Sequence, residues 1–505
     1  DVYKRQAGAS SGMAMAHWEI QGWMILILGW VFVPFYTRSM VYTMPEFLER
    51  RYNPQSRTIL SVISLVSYVL TKVAVTVYAG GLVFQQVFGI KELWGIDFFW
   101  IAAIGLVVLT ALYTIFGGMK SVLYTSVLQT PILLLGSLII LVLGFKELGG
   151  WDEMMRVCGA VTVNDYGDTM TNLIRSNDDA NFPWLGALIG SAIIGFWYWC
   201  TDQFIVQRVL SGKNEMEARR GTIFGAYLKL LPVFLFLIPG MIAFALHQKY
   251  IGAGGEGFLP MLENGTANAD AAFPTLVAKL LPAGVKGLVV CGILAALMSS
   301  LASLFNSSAM LFTIDFYKRF RPQTSEKKLV GIGQVATVVI VILGILWIPI
   351  MRSVGDVLYT YLQDVQSVLA PGIAAAFLLG ICWKRTSAQG GMWGLISGMV
   401  IGLTRLGAKV YYSNAGEVAD STFKYLFYDM NWLFFCGWMF LFCIIVVIVV
   451  SLATEAPTAE KIQGLVFGTA TKEQKASTRA SWNHWDIIHT VIILAITGAF
   501  YWYFW

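Results

Sequence analysis

Apolar runs of about twenty residues alternate with short polar segments along the whole chain. A helix needs roughly 20 apolar residues to cross the hydrocarbon core of a bilayer. Isolated strands would leave backbone groups unpaired in lipid, so these runs predict transmembrane helices. We identify twelve predicted spans, with approximate limits 17–38, 58–87, 96–116, 121–145, 183–207, 221–247, 283–316, 329–351, 356–382, 388–408, 428–453 and 483–505.

The composition also indicates a chain embedded in a lipid bilayer. Hydrophobic residues make up 57% of the 505 residues and charged residues 13%, against about 25% charged residues in a typical soluble domain. The mean hydropathy is +0.66. The net charge of +5 comes from basic residues in the loops, so it does not indicate a nucleic-acid partner. The fold class predicted is an all-α polytopic membrane protein.

The distribution of Lys and Arg predicts the orientation. When the loops are taken alternately, one side holds more than twice as many Lys and Arg residues as the other. Loops rich in Lys and Arg stay in the cytoplasm. The first side, which includes Arg50, Arg51 and Arg208, is therefore predicted to be cytoplasmic.

Several motifs of soluble enzymes are missing from the sequence. It contains no GxxxxGK[ST] phosphate loop and no HExxH, and its four histidines are scattered. The six cysteines lie mostly inside apolar runs, so they do not predict a disulfide framework. These observations argue against an ATP-driven pump, a hydrolase or a metalloenzyme, and we predict that the protein is not an enzyme.

Polar residues inside predicted spans mark candidate functional positions, because a charge at the bilayer centre costs roughly 2.5–3.5 kcal/mol on insertion scales. Lys229 lies about two turns inside its span; it either snorkels to the interface or faces an aqueous cavity. Glu19 is either a solvated interfacial carboxylate or part of a buried site. Gln363, with Asp364 and Gln366 close by, is difficult to place against lipid.

Small residues and proline interrupt two of the spans. Gly186, Gly190 and Gly195 recur in span 183–207, and the sequence AlaProGly occupies 370–372 in span 356–382. Each interruption fits either close packing and a kink or a broken helix that lines a site at mid-membrane.

The run AALMSSLASLFNSSAM at 295–310 also has two interpretations. It is either a small-residue packing face or a source of neutral oxygen ligands for Na⁺. Together with the acceptor Glu19, the donor Lys229, Gln363 and nearby aromatic rings, it suggests a hydroxyl-rich ligand.

Long motifs resemble the sodium/glucose cotransporter branch of the sodium:solute symporter family. The resemblance runs from about Ala7 to the end of the chain and is carried by YWCTDQFIVQRVLSGKN, GAYLKLLP, MPEFLERRYN, GGMKSVLYTSVLQT, SSLASLFNSSAMLFTIDFYKRF and GLISGMVIGLTR. It implies a LeuT-type fold with two inverted five-helix repeats and extra C-terminal helices. The expected organisation is one transmembrane domain at 7–505, with repeats at about 7–145 and 183–382 and peripheral helices at about 388–505.

The family's functional positions carry over residue by residue. The implied substrate-binding residues are Glu19, Lys229, Gln363 and Trp199. The implied gates are Trp18 on the outer side, Tyr198 on the inner side, and Tyr359 at an aromatic gate position. The implied Na⁺ ligands are the carbonyl of Ala296 and the hydroxyls of Ser299 and Ser300.

The sequence departs from the family pattern in three ways. It begins DVYKRQ without an initiating Met, and we interpret 1–6 as a non-native leader on an N-terminally truncated fragment that lacks the first half of helix one. In the family, that half-helix supplies sugar contacts and sodium-binding carbonyls. Ser126 stands where the family often has an Asp on the sodium path, and Gly195 replaces a polar residue that touches sugar.

The resemblance implies a secondary active transporter that couples Na⁺ to uptake of a glucose- or galactose-like sugar by alternating access. The expected location is the plasma (inner) membrane, with Na⁺ as the co-transported ion and no obligate protein partner. Two alternatives remain open: symport of another polyol or solute such as myo-inositol, and a sugar sensor of the same fold that does not transport.

Overall fold

The computed structural model describes residues 8–39, 41, 43–262, 265–354, 358–414 and 419–505. Within helices it describes the backbone alone at positions 113, 115–126, 128, 129, 351–354 and 358–360. The side chains of Ser126 and Tyr359 therefore lie outside the described residues, as do the leader residues 1–6.

The described chain is almost entirely helical. The first helices are α1 (Gly8–Ser39), α2 (Met44–Arg51), α3 (Pro54–Phe88), α4 (Phe98–Leu148), α5 (Trp151–Gly159), α6 (Trp184–Thr201), α7 (Gln203–Leu210), α8 (Glu215–Gly252) and α9 (Ala272–Leu280). The later helices are α10 (Ala283–Phe320), α11 (Glu326–Val354), α12 (Leu358–Cys382), α13 (Ala388–Asn414), α14 (Trp432–Ala453), α15 (Ala459–Ile462), α16 (Lys472–Ala480) and α17 (His484–Tyr503). Single helical turns lie at Ala269–Ala271 and at Thr422–Lys424, which continues as a π turn at Tyr425–Asp429.

The only regular strands in the described residues are β1 (Glu92–Leu93) and β2 (Ile96–Asp97). They form a two-stranded antiparallel hairpin in which Glu92 pairs with Asp97. The hairpin connects α3 to α4, and Asp97 caps α4 by accepting a hydrogen bond from the Phe99 amide.

Ten helices in the described part of the chain are long and apolar enough to cross a membrane. Their outward faces carry large apolar side chains that no other part of the protein covers. Examples on three helices are Val335, Val339 and Leu346 of α11, Phe442 and Val449 of α14, and Val491 of α17. Such a continuous apolar surface suits lipid rather than water.

The structure differs from the prediction at α4. The sequence predicts two spans, 96–116 and 121–145, whereas Phe98–Leu148 is one helix of 51 residues. At 1.5 Å per residue it is about 77 Å long, more than twice the hydrocarbon thickness of about 30 Å. The expected boundary near Gly117 and Gly118 offers only glycine as a breaker, and glycine costs a helix about 1 kcal/mol, too little to force a turn.

Unlike α4, the helices α1 and α6 are each interrupted at one point. In α1, a 3₁₀ turn at Gly12–Met15 leads into the short segment Ala16–Glu19, and the helix resumes at Gly22 after a turn at Ile20 and Gln21. In α6, the last six residues, Phe196–Thr201, widen into a π turn, and Asp202 takes an extended conformation before α7 begins. Both discontinuities lie next to predicted site residues.

The break in this region falls at Asp202 rather than at Gly195, which lies within continuous helix. In α12, the sequence AlaProGly at 370–372 also lies within one continuous helix, Leu358–Cys382. For α12 the structure therefore favours the packing interpretation over the broken-helix interpretation.

Helices α12, α13 and α14 pack against one another, and glycines set the closest approach. A Cβ atom added to Gly398 of α13 would lie 2.6 Å from the Cα of Gly372 on α12. Contacts this short between backbones require glycine at both positions, as in other closely packed membrane helices.

We expect Gly398→Ala to lower the free energy of unfolding by about 1–3 kcal/mol, because the added methyl group meets backbone that has no room to move. The matched control is Gly407→Ala on the same helix, where a Cβ would meet nothing within 4 Å. The measurement is the Tm of each purified variant in detergent. Equal Tm values for the two variants would show that the Gly372–Gly398 contact is not tight.

Candidate functional site

Glu19 lies at the discontinuity of α1, at the end of the segment Ala16–Glu19. Only 1% of the residue is exposed. The interpretation of Glu19 as a solvated interfacial carboxylate is therefore wrong. A carboxylate buried to this degree needs a charged or hydrogen-bonding partner.

Lys229 of α8 supplies that partner. Its ammonium group donates a hydrogen bond to Glu19 Oε2 at 3.0 Å, and only 10% of its side chain is exposed. The snorkelling interpretation is therefore also wrong, since the side chain points to a buried carboxylate. The same ammonium group lies 5.5 Å from the ring centroid of Trp199 in the π turn of α6. Three of the four predicted substrate-binding residues thus contact one another, although they come from three different helices.

Gln363, the fourth predicted substrate-binding residue, lies on α12, which packs against the π turn Phe196–Thr201. It is 6% exposed, and its side-chain oxygen is buried without a hydrogen-bond partner among the described residues. Leaving such an acceptor unsatisfied costs about 1–3 kcal/mol. A ligand that donates a hydrogen bond to Gln363 would recover that cost.

The predicted outer-gate residue, Trp18, is buried in an aromatic cluster. Its ring stacks on Trp432 at the start of α14, with ring centroids 5.5 Å apart, and meets Phe182 edge-on at 6.0 Å. Trp18 directly precedes Glu19 in the segment Ala16–Glu19. Offset or edge-on aromatic contacts of this kind contribute about 0.5–1.5 kcal/mol each.

The predicted inner-gate residue, Tyr198, lies next to Trp199 in the same π turn. Its ring meets Trp199 edge-on at 5.1 Å, and the Lys72 ammonium group of α3 lies 5.2 Å from its centroid. The predicted third gate residue, Tyr359, begins α12, and its side chain lies outside the described residues.

A cavity of about 140 Å³ lies next to Tyr198, between helices α3, α6, α10 and α12. This volume is enough for several water molecules. Two of the predicted Na⁺ ligands, Ala296 and Ser300, line it together with Tyr198, Lys72 and Gln366. The third predicted ligand, Ser299, is a buried residue of the same helix, α10.

Asp202 and Gln203 lie where α6 ends and α7 begins. Both are buried, at 4% and 1% exposure. Gln203 accepts a hydrogen bond from the Met44 amide at 2.8 Å. Asp202 accepts one from the Tyr68 hydroxyl at 2.9 Å and forms an ion pair with Lys72.

The Lys72–Asp202 pair is the main feature that the sequence analysis missed. Lys72 lies inside the predicted span 58–87, so a charge within an apolar run was the available signal. A second missed pair joins Asp364 of α12 to Lys409 of α13.

Hydroxyl groups continue along α10 beyond the predicted Na⁺ ligands. The Ser303 hydroxyl donates to the Ser299 carbonyl at 2.9 Å and accepts from the Arg208 guanidinium at 2.6 Å. The Ser307 hydroxyl, one turn further on, accepts from Gln207 at 2.6 Å. These serines are therefore engaged by α7, which follows the break at Asp202.

Discontinuous helices around a buried polar site, in an all-helical membrane protein, define the class of secondary transporters. A family model described as "Sodium:solute symporter family" matches residues 5–398. The chain belongs to the sodium:solute symporter family. It is therefore a member of a family of Na⁺-coupled transporters rather than of enzymes, as the sequence predicted.

Curated relatives cover nearly the whole chain. The sodium/myo-inositol cotransporter 2 of Homo sapiens is 36% identical over 476 residues, which are 92% of this chain and 70% of the relative. The sodium/mannose cotransporter of Bos taurus is 36% identical over 510 residues, covering 95% and 83%. The sodium/glucose cotransporter 4 of Danio rerio is 35% identical over 493 residues, covering 94% and 73%.

A solved structure shows the same fold. The substrate-bound, outward-open structure of a Na⁺-coupled sialic acid symporter matches with a TM-score of 0.68 at 20% identity, covering 90% of this chain and 87% of that one. The expected all-α polytopic fold of LeuT type is confirmed. The division into repeats at 7–145 and 183–382 stays a prediction.

We expect Lys229→Met to destabilise the protein by about 3–5 kcal/mol, because it removes the ammonium group that pairs with the buried Glu19 carboxylate. The double variant Glu19→Gln/Lys229→Met should recover most of this loss, since both charges are then gone. Tm values of the single and double variants measure the coupling between the two side chains. If the double variant loses as much stability as the two single variants together, the ion pair does not stabilise the fold.

Proposed function

We propose that this protein carries a sugar or a related polyol across the plasma (inner) membrane together with Na⁺, by alternating access, with the basic loops in the cytoplasm. The observation that carries the proposal is the contact of Glu19, Lys229 and Trp199, next to a helix that holds the unsatisfied side-chain oxygen of Gln363.

The site suits a neutral ligand with many hydroxyl groups. Glu19 and Lys229 neutralise each other, so the pair offers an acceptor and a donor without a net charge. Gln363 adds an amide that both donates and accepts. The face of Trp199 gives an apolar surface for the C–H face of a sugar ring. A carboxylate ligand would meet Glu19 and be repelled.

The proposed Na⁺ site uses the Ala296 carbonyl and the hydroxyls of Ser299 and Ser300 on α10. Hard cations prefer oxygen ligands, and neutral oxygens bind a monovalent ion without burying an uncompensated carboxylate. Ala296 and Ser300 share their cavity with Tyr198. Sodium at this position therefore lies next to the proposed inner gate.

In the proposed cycle, Na⁺ favours the outward-facing state, and the sugar then binds among Glu19, Lys229 and Gln363. The cluster of Trp18, Phe182 and Trp432 closes over the sugar from the outer side. Tyr198 moves aside to release the sugar into the cytoplasm. Each gate acts on one face of the same π turn region, so the two need not open together.

The sodium gradient provides enough free energy for uphill transport. A membrane potential of about 100 mV provides about 2.3 kcal/mol per charge, and a tenfold Na⁺ gradient adds about 1.4 kcal/mol. One Na⁺ per sugar therefore supports accumulation on the order of 500-fold.

The names of the relatives support a sugar or polyol as the substrate, but they do not identify which one. Their names specify myo-inositol, mannose and glucose, all of which are neutral polyols. Gly195, where a side chain would project towards Gln21, removes one group that would distinguish these solutes. A sensor that binds sugar and Na⁺ without transport is the alternative from another functional class.

We expect the protein produced from its complete gene and reconstituted in proteoliposomes to take up labelled glucose, galactose or myo-inositol when Na⁺, but not K⁺, is present outside. Sialic acid serves as the anionic comparison and should not be taken up. Uptake that proceeds equally in K⁺ would contradict symport. Na⁺-dependent binding without any uptake would instead support the sensor.

Two variants should separate the solute site from the Na⁺ site. Gln363→Ala removes an acceptor and should raise the solute concentration for half-maximal uptake about 5- to 30-fold, corresponding to about 1–2 kcal/mol.

Ser300→Ala should raise the Na⁺ concentration for half-maximal uptake about tenfold. Each variant is the control for the other, measured at saturating levels of the second ligand. An unchanged Na⁺ dependence in Ser300→Ala would refute its assignment as a ligand.

A further inference from the structure

Lys72 and Asp202 form a buried ion pair at the edge of the cavity that contains two of the proposed Na⁺ ligands. Their side chains are 10% and 2% exposed. Lys72 lines the cavity together with Ala296, Ser300 and Tyr198. A permanent positive charge and the transported cation would thus share one small space.

The position of the Lys72 ammonium group is fixed on several sides. It pairs with the Asp202 carboxylate and lies 4.6 Å, 4.3 Å and 5.2 Å from the ring centroids of Tyr68, Phe204 and Tyr198. Each aromatic face attracts the cation. The ammonium group therefore has little freedom to leave the cavity by a change of rotamer alone.

A π-helical segment lies at or next to each residue of this pair. Lys72 lies in a π-helical segment of α3, Tyr68–Val73, and Asp202 directly follows the π turn Phe196–Thr201 of α6. Single π turns inside α-helices occur frequently at functional sites. Asp202 also caps α7 by accepting a hydrogen bond from the Phe204 amide at 3.1 Å.

The charges around the cavity set the potential that an entering Na⁺ meets. Lys72 is positive, Asp202 is negative, and Arg208 is positive and donates to Ser303, one turn from Ser299. In a poorly hydrated space, charges interact several times more strongly than in water. Without Asp202, Lys72 and Arg208 would both oppose sodium; without Lys72, the Asp202 carboxylate would offset Arg208, so less positive charge would oppose the ion.

We propose that the Lys72–Asp202 pair sets the Na⁺ affinity of the cavity, with Lys72 as a fixed cation that opposes Na⁺ and Asp202 as the group that compensates it. Neither residue is proposed as a Na⁺ ligand; both act on the ion through the field in the cavity. The inference rests on the proposed Na⁺ site at Ala296, Ser299 and Ser300.

The proposal predicts opposite effects from the two single charge removals. Lys72→Met should lower the Na⁺ concentration for half-maximal binding at least threefold, because Asp202 then attracts the ion. Asp202→Asn should raise it at least threefold, because the Lys72 charge is then uncompensated. A merely structural pair would give shifts of the same direction, since both variants break the same contact.

Two controls separate charge from structure. Tyr68→Phe removes the hydroxyl that donates to Asp202 at 2.9 Å and changes no charge, so Na⁺ binding should stay within twofold of the wild type. The double variant Lys72→Met/Asp202→Asn restores neutrality of the pair and should return the Na⁺ half-saturation close to the wild-type value. If Lys72→Met does not fold, the comparison of Asp202→Asn with the double variant still decides the question.

The measurement is equilibrium binding of radioactive sodium to the purified protein, produced from its complete gene, without any sugar. Absence of Na⁺ binding by the wild type would contradict the proposed Na⁺ site itself. Na⁺ binding by the wild type with shifts in one direction, or with no shift in either single variant, would overturn the role of the Lys72–Asp202 pair alone.

Discussion

A charge inside a helical bundle in lipid must be compensated by another part of the same bundle, because removing an ion from water costs several kcal/mol. This constraint organises the interior of the protein. Three ion pairs each join different helices: Glu19–Lys229 links α1 to α8, Lys72–Asp202 links α3 to the break between α6 and α7, and Asp364–Lys409 links α12 to the next helix, α13. Breaking any one of these pairs leaves the remaining charge buried, so the pairs fix which helices are neighbours.

The same constraint explains why the candidate site suits neutral solutes. A paired carboxylate and ammonium group keep their hydrogen-bonding capacity while their charges cancel. A hydroxyl group both donates and accepts, so a polyol can exchange hydrogen bonds with both partners without separating them. An ionic solute would instead add an uncompensated charge. Gln363 contributes its amide to such a site at no electrostatic cost, and its side-chain oxygen, which has no hydrogen-bond partner among the described residues, could accept a hydrogen bond from a bound solute.

The sequence predicted the helices and most candidate residues, because charges such as Glu19 and Lys229 are conspicuous in apolar runs. It did not predict their partners, since a pairing such as Lys72 with Asp202 depends on how distant helices pack. The glycines of span 183–207, Gly195 among them, left close packing and a broken helix both open, whereas the observed break lies at Asp202, which caps α7 and forms an ion pair with a distant helix. At α4, glycines suggested a boundary between two spans. Glycine is a weak helix breaker, however, and the structure has one continuous helix there.

One π-helical turn lies between the proposed solute site and the proposed Na⁺ site. Trp199 lies 5.5 Å from the ammonium group of Lys229, and its neighbour Tyr198 lies 5.2 Å from the ammonium group of Lys72. Consecutive rings of one turn therefore each face one buried cation, one beside the Glu19 pair and one beside the cavity of Ala296 and Ser300. A shift of this turn changes both environments at once. Under the function proposed above, solute and ion are coupled through these two adjacent residues, without direct contact between the solute and Na⁺.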